Sequence, residues 1–181
     1  MRDKDLKSKN FVEEKKVYIL GEFDETIAKY VVPEFVKLTE DRNNKSIDIY
    51  INSNGGYTSY LKQLLGIVEK FKADGGVIKT FVYGNAYSCG SILACSGTKG
   101  ERYIYEYSEH CCHLGAATTG YVINDVELER MSDRVKRHFD FVRNCYKKYA
   151  KVKNLEEVIK NDCYFIEGKK IIENGLADKI I

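Results

Sequence analysis

The chain has 181 residues, with 29 lysines and arginines against 27 aspartates and glutamates; a formal charge of +2 gives no electrostatic case for nucleic acid or an acidic membrane. Its length suffices to bury a sizeable core, and no Pro-, Ser- or Gly-rich stretch divides it, so a single domain is expected. Ten of the first sixteen residues are charged and none form an apolar h-region, while no stretch reaches the roughly 20 apolar residues of a membrane span. Residues 1–16 therefore read as a flexible charged segment, residues 17–181 as the domain, and the protein as one that stays in the cytoplasm or whichever reducing compartment makes it.

In chain order, Val17 to Leu20 reads as a short strand and Asp24 to Thr39 as a helix with Asp24 as N-cap. Pro33 falls inside that helix, where it removes a bond to Lys29 and predicts a kink. Ile47 to Ile51 and Val77 to Tyr83 read as further strands, rich in β-branched and aromatic residues. Between them Leu61, Leu64, Leu65, Val68 and Phe71 form one apolar helical face. Strands alternating with helices imply parallel pairing, an α/β fold. From about Asp125 to Ala150 a long amphipathic helix is expected, with Val126, Met131, Val135, Phe139, Val142 and Tyr146 at helical spacings.

Six cysteines occur without a Cys-x-x-Cys spacing, which favours buried free thiols over disulfides or metal. Cys111 and Cys112 should face opposite sides of a strand. His110 and His113, three apart, would suit a metal pair on a helix but point to opposite faces of a strand, so no metal site is expected.

Three segments carry chemistry: the turn Asn52-Ser53-Asn54-Gly55-Gly56, the run Gly84-Asn85-Ala86-Tyr87-Ser88-Cys89-Gly90, and Cys111-Cys112-His113-Leu114-Gly115. A serine hydroxyl is a weak nucleophile near neutral pH and needs an adjacent base and donors for its oxyanion. Ser88 would be the nucleophile and His113 the base, with the backbone N–H groups of Gly56 and Cys89 as donors. By spacing alone the signal is weak, since most serines in such a pattern are ordinary helix caps.

Val17 to Gly21, Ile47 to Gly56, Gly84 to Gly97, the His113 segment and the terminal Glu173-Asn174-Gly175-Leu176-Ala177-Asp178 resemble, in order, the blocks of the ClpP family, the serine peptidase subunits of ATP-dependent Clp proteases. The resemblance implies a ClpP/crotonase-like spiral of parallel strands and helices, with a projecting handle strand and long helix at about 114–150. It implies Ser88 as nucleophile, His113 as general base, and Gly56 and Cys89 as oxyanion hole, with no cofactor. It further implies seven-subunit double rings enclosing a chamber, in which unfolded proteins or peptides are cleaved. The segments near Gly56 to Ser59 and Gly115 to Thr118, Tyr57 and Gly115 among them, would hold an extended peptide by strand addition. An AAA+ unfoldase partner is implied through an apolar cleft, for which Tyr50, Phe71, Phe81 and Tyr83 match, while Asp48 falls where an aromatic is usual.

The sequence departs from the family at three further points. Asn54 replaces the proline of the Ser-Pro-Gly-Gly turn, and Leu114-Gly115 replaces a Gln-Pro. Cys163 aligns with the catalytic aspartate, with Asp162 one residue earlier and on the opposite face of any regular strand. Three readings stay open: Asp162 enters through a bulge, the enzyme runs as a Ser-His dyad, or the chain is a catalytically inactive ring subunit. A crotonase-type acyl-CoA enzyme also uses a Gly-Gly oxyanion turn, but needs no serine and histidine placed in this way.

Overall fold

The computed structural model describes residues 11–115, 125–160 and 164–181, with the side chains of 125–128 and 160 left aside. From Phe11 the chain forms a tight hairpin, in which β1 (Val12–Glu13) pairs antiparallel with the start of β2 (Lys16–Phe23). The expected charged segment of residues 1–16 otherwise lies, up to residue 10, outside the described residues.

Beyond the hairpin the fold is the expected α/β arrangement. β3 (Ser46–Gly56) and β4 (Val77–Tyr87) extend the sheet in parallel from β2, joined by α2 (Thr58–Ala73). β4 is long enough to serve two neighbours: its first half pairs with β5 (Arg102–Ile104) and its second with β6 (Glu109–Cys112), both parallel. This split places the end of β6 beside the end of β4, where Ser88 follows. β7 (Tyr164–Glu167) runs antiparallel to β6, and β8 (Lys179–Ile180) closes against β5.

Side chains alternate along β3 and β4 between a buried face, with Ile47, Ile49, Ile51, Ile78 and Val82, and a partly exposed one. On the latter, Tyr18, Tyr50, Phe81 and Tyr103 are register partners across four strands and stack at centroid separations of 5.4, 4.8 and 4.9 Å. Tyr83 meets Tyr50 edge-on. Phe71 does not join them. It is buried in the core, under Gly76, because the apolar face of α2 points at the sheet.

Asp24 caps the first helix as expected, its Oδ1 accepting from Thr26 N–H at 2.8 Å. Instead of a simple kink at Pro33, a π-helical turn at Ile27–Val31 precedes α1 (Val32–Glu40), with Val32 N–H bonded to the Ile27 carbonyl. The wider turn places Pro33 in the first turn of the following helix, where a missing N–H costs little.

The long helix is α4 (Asp125–Tyr149). Among its described side chains the buried ones, Val142, Cys145 and Tyr146, fall in the C-terminal third, whereas Met131, Val135 and Phe139 are half-buried. The strand expected to precede it lies outside the described residues. A short helix, α5 (Leu155–Lys160), leads toward β7, and α6 (Lys169–Glu173) follows it. Among the described residues no helix is long and apolar enough to cross a membrane.

A set of long-range hydrogen bonds ties the chain end to the core. Arg102, buried at the start of β5, donates through Nε to Asp178 Oδ2 at 2.8 Å and through Nη1 to the carbonyls of Tyr149 and Gly175. The Asp178 carboxylate also accepts the Gly100 N–H at 2.7 Å.

Candidate active site

Ser88 links β4 to α3 (Cys89–Cys95) in a sharp elbow, with φ 54° and ψ −117°. That region is costly for a residue with a side chain, and such strain persists only where neighbours hold it. They do so here: Ser88 N–H donates to the Cys111 carbonyl at 2.9 Å, and its own carbonyl accepts Ile92 N–H in the first turn of α3. His113 lies two residues beyond Cys111, immediately after β6. Thus one hydrogen bond anchors the serine to the segment that delivers the histidine. Ser88 and His113 are both half-buried, within reach of solvent.

The Gly-Gly turn approaches from β3. A Cβ on Gly55, where φ is +101°, would lie 2.6 Å from Ser88 Cβ and 3.2 Å from its Oγ, so only glycine fits against Ser88. Gly56 has φ +139°, and a Cβ there would meet the backbone of Phe23 at 2.6 Å. Side chains fix the turn: Ser53 Oγ accepts Gly55 N–H at 3.1 Å, Asn52 Oδ1 accepts Asn85 N–H at 3.0 Å, and Asn54 Oδ1 accepts Asn85 Nδ2–H at 3.1 Å. Where the family turn has proline, Asn54 supplies a cross-strand tie instead.

Cys89 opens α3 with its thiol turned inward, its Sγ donating to the Gly56 carbonyl at 3.2 Å. Burial pushes the thiol up to about 12, against the opposing influence of the Ser88 side chain and Gly56 backbone, so it stays protonated and unreactive at neutral pH. Cys95, Cys112 and Cys145 are likewise buried free thiols, each raised by desolvation. Cys111 is also buried.

His110 lies within β6 and His113 just past its end, and the two differ in burial, His113 being half-buried. His110 is wholly buried, its Nδ1 3.0 Å from Ser91 Oγ. Among the described residues no cluster could hold a metal ion. Asp162 and Cys163 lie outside the described residues; the segment after them begins with Tyr164, opposite Cys112 on β6.

Of the expected peptide-binding positions, Tyr57 is extended and 71% exposed at the lip of the turn. Thr58 and Ser59 open α2, so the strand edge on this side ends at Tyr57. Gly115 adopts φ +80°, and residues 116–118 lie outside the described residues. His138 belongs to none of the sequence motifs. From α4 its Nε2 lies 2.9 Å from the Leu114 carbonyl, with Nδ1 3.5 Å from Thr58 Oγ1. The signal was its phase, four residues before the buried Val142 and eight before Tyr146.

Comparison with known proteins agrees with this geometry. The family model for Clp protease matches residues 2–181. The chain is similar to ATP-dependent Clp protease proteolytic subunit 2 of Bacillus licheniformis, 28% identical over 170 residues covering 91% of this chain and 85% of the relative. It is similar also to the proteolytic subunit of Streptococcus sanguinis, at 26% identity with 91% and 83% covered, and to proteolytic subunit 4 of Rhodococcus jostii, at 27% with 93% and 84% covered. A strained serine at a strand-to-helix elbow, a glycine turn against it and a match over nearly the whole chain lead to one conclusion: the chain belongs to the Clp protease family.

Proposed function

We propose that this protein is a serine endopeptidase subunit that cleaves unfolded proteins or peptides. The observation that carries the reading is the Ser88 elbow, strained and tied to Cys111 two residues before His113. Ser88 Oγ attacks the scissile carbonyl carbon while its proton passes to His113. The oxyanion that forms is met by the N–H groups of Gly56 and Cys89, and His113 then returns the proton to the leaving amine. Water enters by the same route to hydrolyse the acyl-enzyme. Tyr57 and Gly115 hold the substrate backbone on either side.

The subunits assemble as seven-membered double rings in the cytoplasm, with residues 17–181 as one peptidase domain and about 114–150 as the handle between rings. The half-buried Met131, Val135 and Phe139 supply apolar surface for that contact. An AAA+ unfoldase docks on the aromatic row Tyr50, Phe81 and Tyr83, bordered by the charged register row Lys16, Asp48 and Lys79. The half-buried Asp48 carboxyl makes this cleft less uniformly apolar than the aromatics alone imply, and desolvation raises that carboxyl above its usual range.

One feature favours a second reading, a catalytically inactive ring subunit: Cys163 aligns with the family aspartate. Intact-mass measurement of a fluorophosphonate adduct on the assembled protein separates the two. The peptidase reading expects stoichiometric labelling that vanishes in Ser88→Ala and slows in His113→Ala. A well-formed ring that takes no label would leave the structural subunit.

A further inference from the structure

We infer that the Cys89 side chain is a positioning residue for the oxyanion hole, holding the Gly56 peptide through its thiol while its own backbone N–H serves as the other donor. The inference rests on the peptidase reading for its catalytic meaning, but the contact itself does not. Gly56 is caught between two elements. On one side its α-carbon lies so close to Phe23 that no Cβ fits, and Tyr57 N–H donates to the Phe23 carbonyl at 2.8 Å. On the other side its carbonyl accepts the Cys89 thiol at 3.2 Å. Gly56 is itself exposed, and with φ at +139° its backbone is free of the steric limits that would fix any other residue. Without a bond to its carbonyl, the turn could rotate and carry its N–H away from the oxyanion.

The thiol suits this task. Cys89 is 1% exposed and stays protonated, so it is a donor and not a competing nucleophile. It belongs to the first residue of α3, the helix that carries Ser88 at its cap, so the bond joins the two halves of the cradle directly. An alanine here would leave the Gly56 carbonyl without that donor; a serine would keep one.

The test compares the assembled wild type with Cys89→Ala and Cys89→Ser, with Ser88→Ala as the catalytic blank. Two readouts are used: hydrogen exchange by mass spectrometry over residues 52–60, and kcat, KM and peptide-boronate affinity on a short fluorogenic peptide. Cys89→Ala is expected to speed exchange in that segment, to lower kcat about tenfold with KM within about twofold, and to weaken boronate binding in step with kcat. Cys89→Ser should restore most of each. Unchanged exchange and boronate affinity in a folded Cys89→Ala would overturn the inference, as would a loss confined to melting temperature and not rescued by serine. An inactive wild type sinks the peptidase reading instead, and the exchange comparison still decides whether the thiol holds Gly56.

Discussion

Ser91 Oγ lies 3.0 Å from His110 Nδ1, and neither residue has any exposed surface. The pair sits three residues beyond Ser88 and three before His113, yet no substrate can reach it. His110 Nε2 has no hydrogen-bond partner among the described residues. Burial, aided by the Arg102 charge, pushes His110 down to about 3. In the unfolded chain it titrates near 6.5, so between pH 6.5 and 3 the unfolded state binds the extra proton and stability falls as pH falls. Above pH 6.5 the group contributes no slope. Within the window each pH unit costs about 1.4 kcal/mol. Urea midpoints at pH 7.5 and 5.5 should therefore differ more in the wild type than in His110→Gln; equal differences would mean that His110 is not buried neutral.

Gly55 and Gly56 should fail differently. Alanine at Gly55 drives a methyl into Ser88, so activity falls at least about 100-fold while the fold survives with a loss of about 1–3 kcal/mol. Alanine at Gly56 meets the Phe23 backbone, which cannot swing aside as a side chain could. Its loss is mainly of stability. Fluorophosphonate labelling rate and thermal melting, measured together, distinguish the two, and the ordering is wrong if Gly55→Ala labels at the wild-type rate.

The pair of buried Arg102 and half-buried Asp178 makes a third, independent case. Burial raises the Asp178 carboxyl, but hydrogen bonds and charge from Arg102 more than reverse this, leaving it below the usual carboxylate range. Its stabilisation is present above the unfolded value near 3.9 and is lost as pH falls through the lower folded value. Asp178→Ala strands the guanidinium beside the carbonyls of Tyr149 and Gly175, at an expected cost of about 3–5 kcal/mol. Chemical denaturation at pH 7 reads it; a loss below about 1 kcal/mol would mean the pair is solvated.

The strand cores were legible because Ile47 to Ile51 and Val77 to Tyr83 are apolar and β-branched, but both strands run on through residues that read as turns. Asn52 to Gly56 and Gly84 to Tyr87 stay extended because Asn52 and Asn54 bond to Asn85 across the bulge, a pairing with no periodic signature. The π-turn before Pro33 was hidden for a related reason, since helical spacing barely changes over five residues. Ser88, Gly56 and His113 could be named from motif order, whereas the strain at Ser88 and the thiol bond from Cys89 to Gly56 exist only once two distant elements meet. Arg102 showed nothing in the sequence of its link to Asp178, 76 positions away.

The third catalytic position is open to direct chemistry. A carboxylate next to the base holds its tautomer and stabilises the imidazolium, and removing that charge in a serine-protease triad lowers turnover roughly 10⁴-fold. If Asp162 fills the role, Asp162→Asn should approach that loss with little change in KM, and Cys163→Ala should stay within about twofold of wild type. A Ser-His dyad predicts that neither variant moves kcat by more than a few fold, from a wild-type rate already low. Cys163→Asp then becomes the informative gain-of-function variant: in the dyad it places a carboxylate at the aligned position and should raise kcat, whereas beside a working Asp162 it adds a like charge and should not. Single-turnover acylation rates for the three variants, taken on size-fractionated rings, decide between a bulged Asp162 and a histidine that works without an acid.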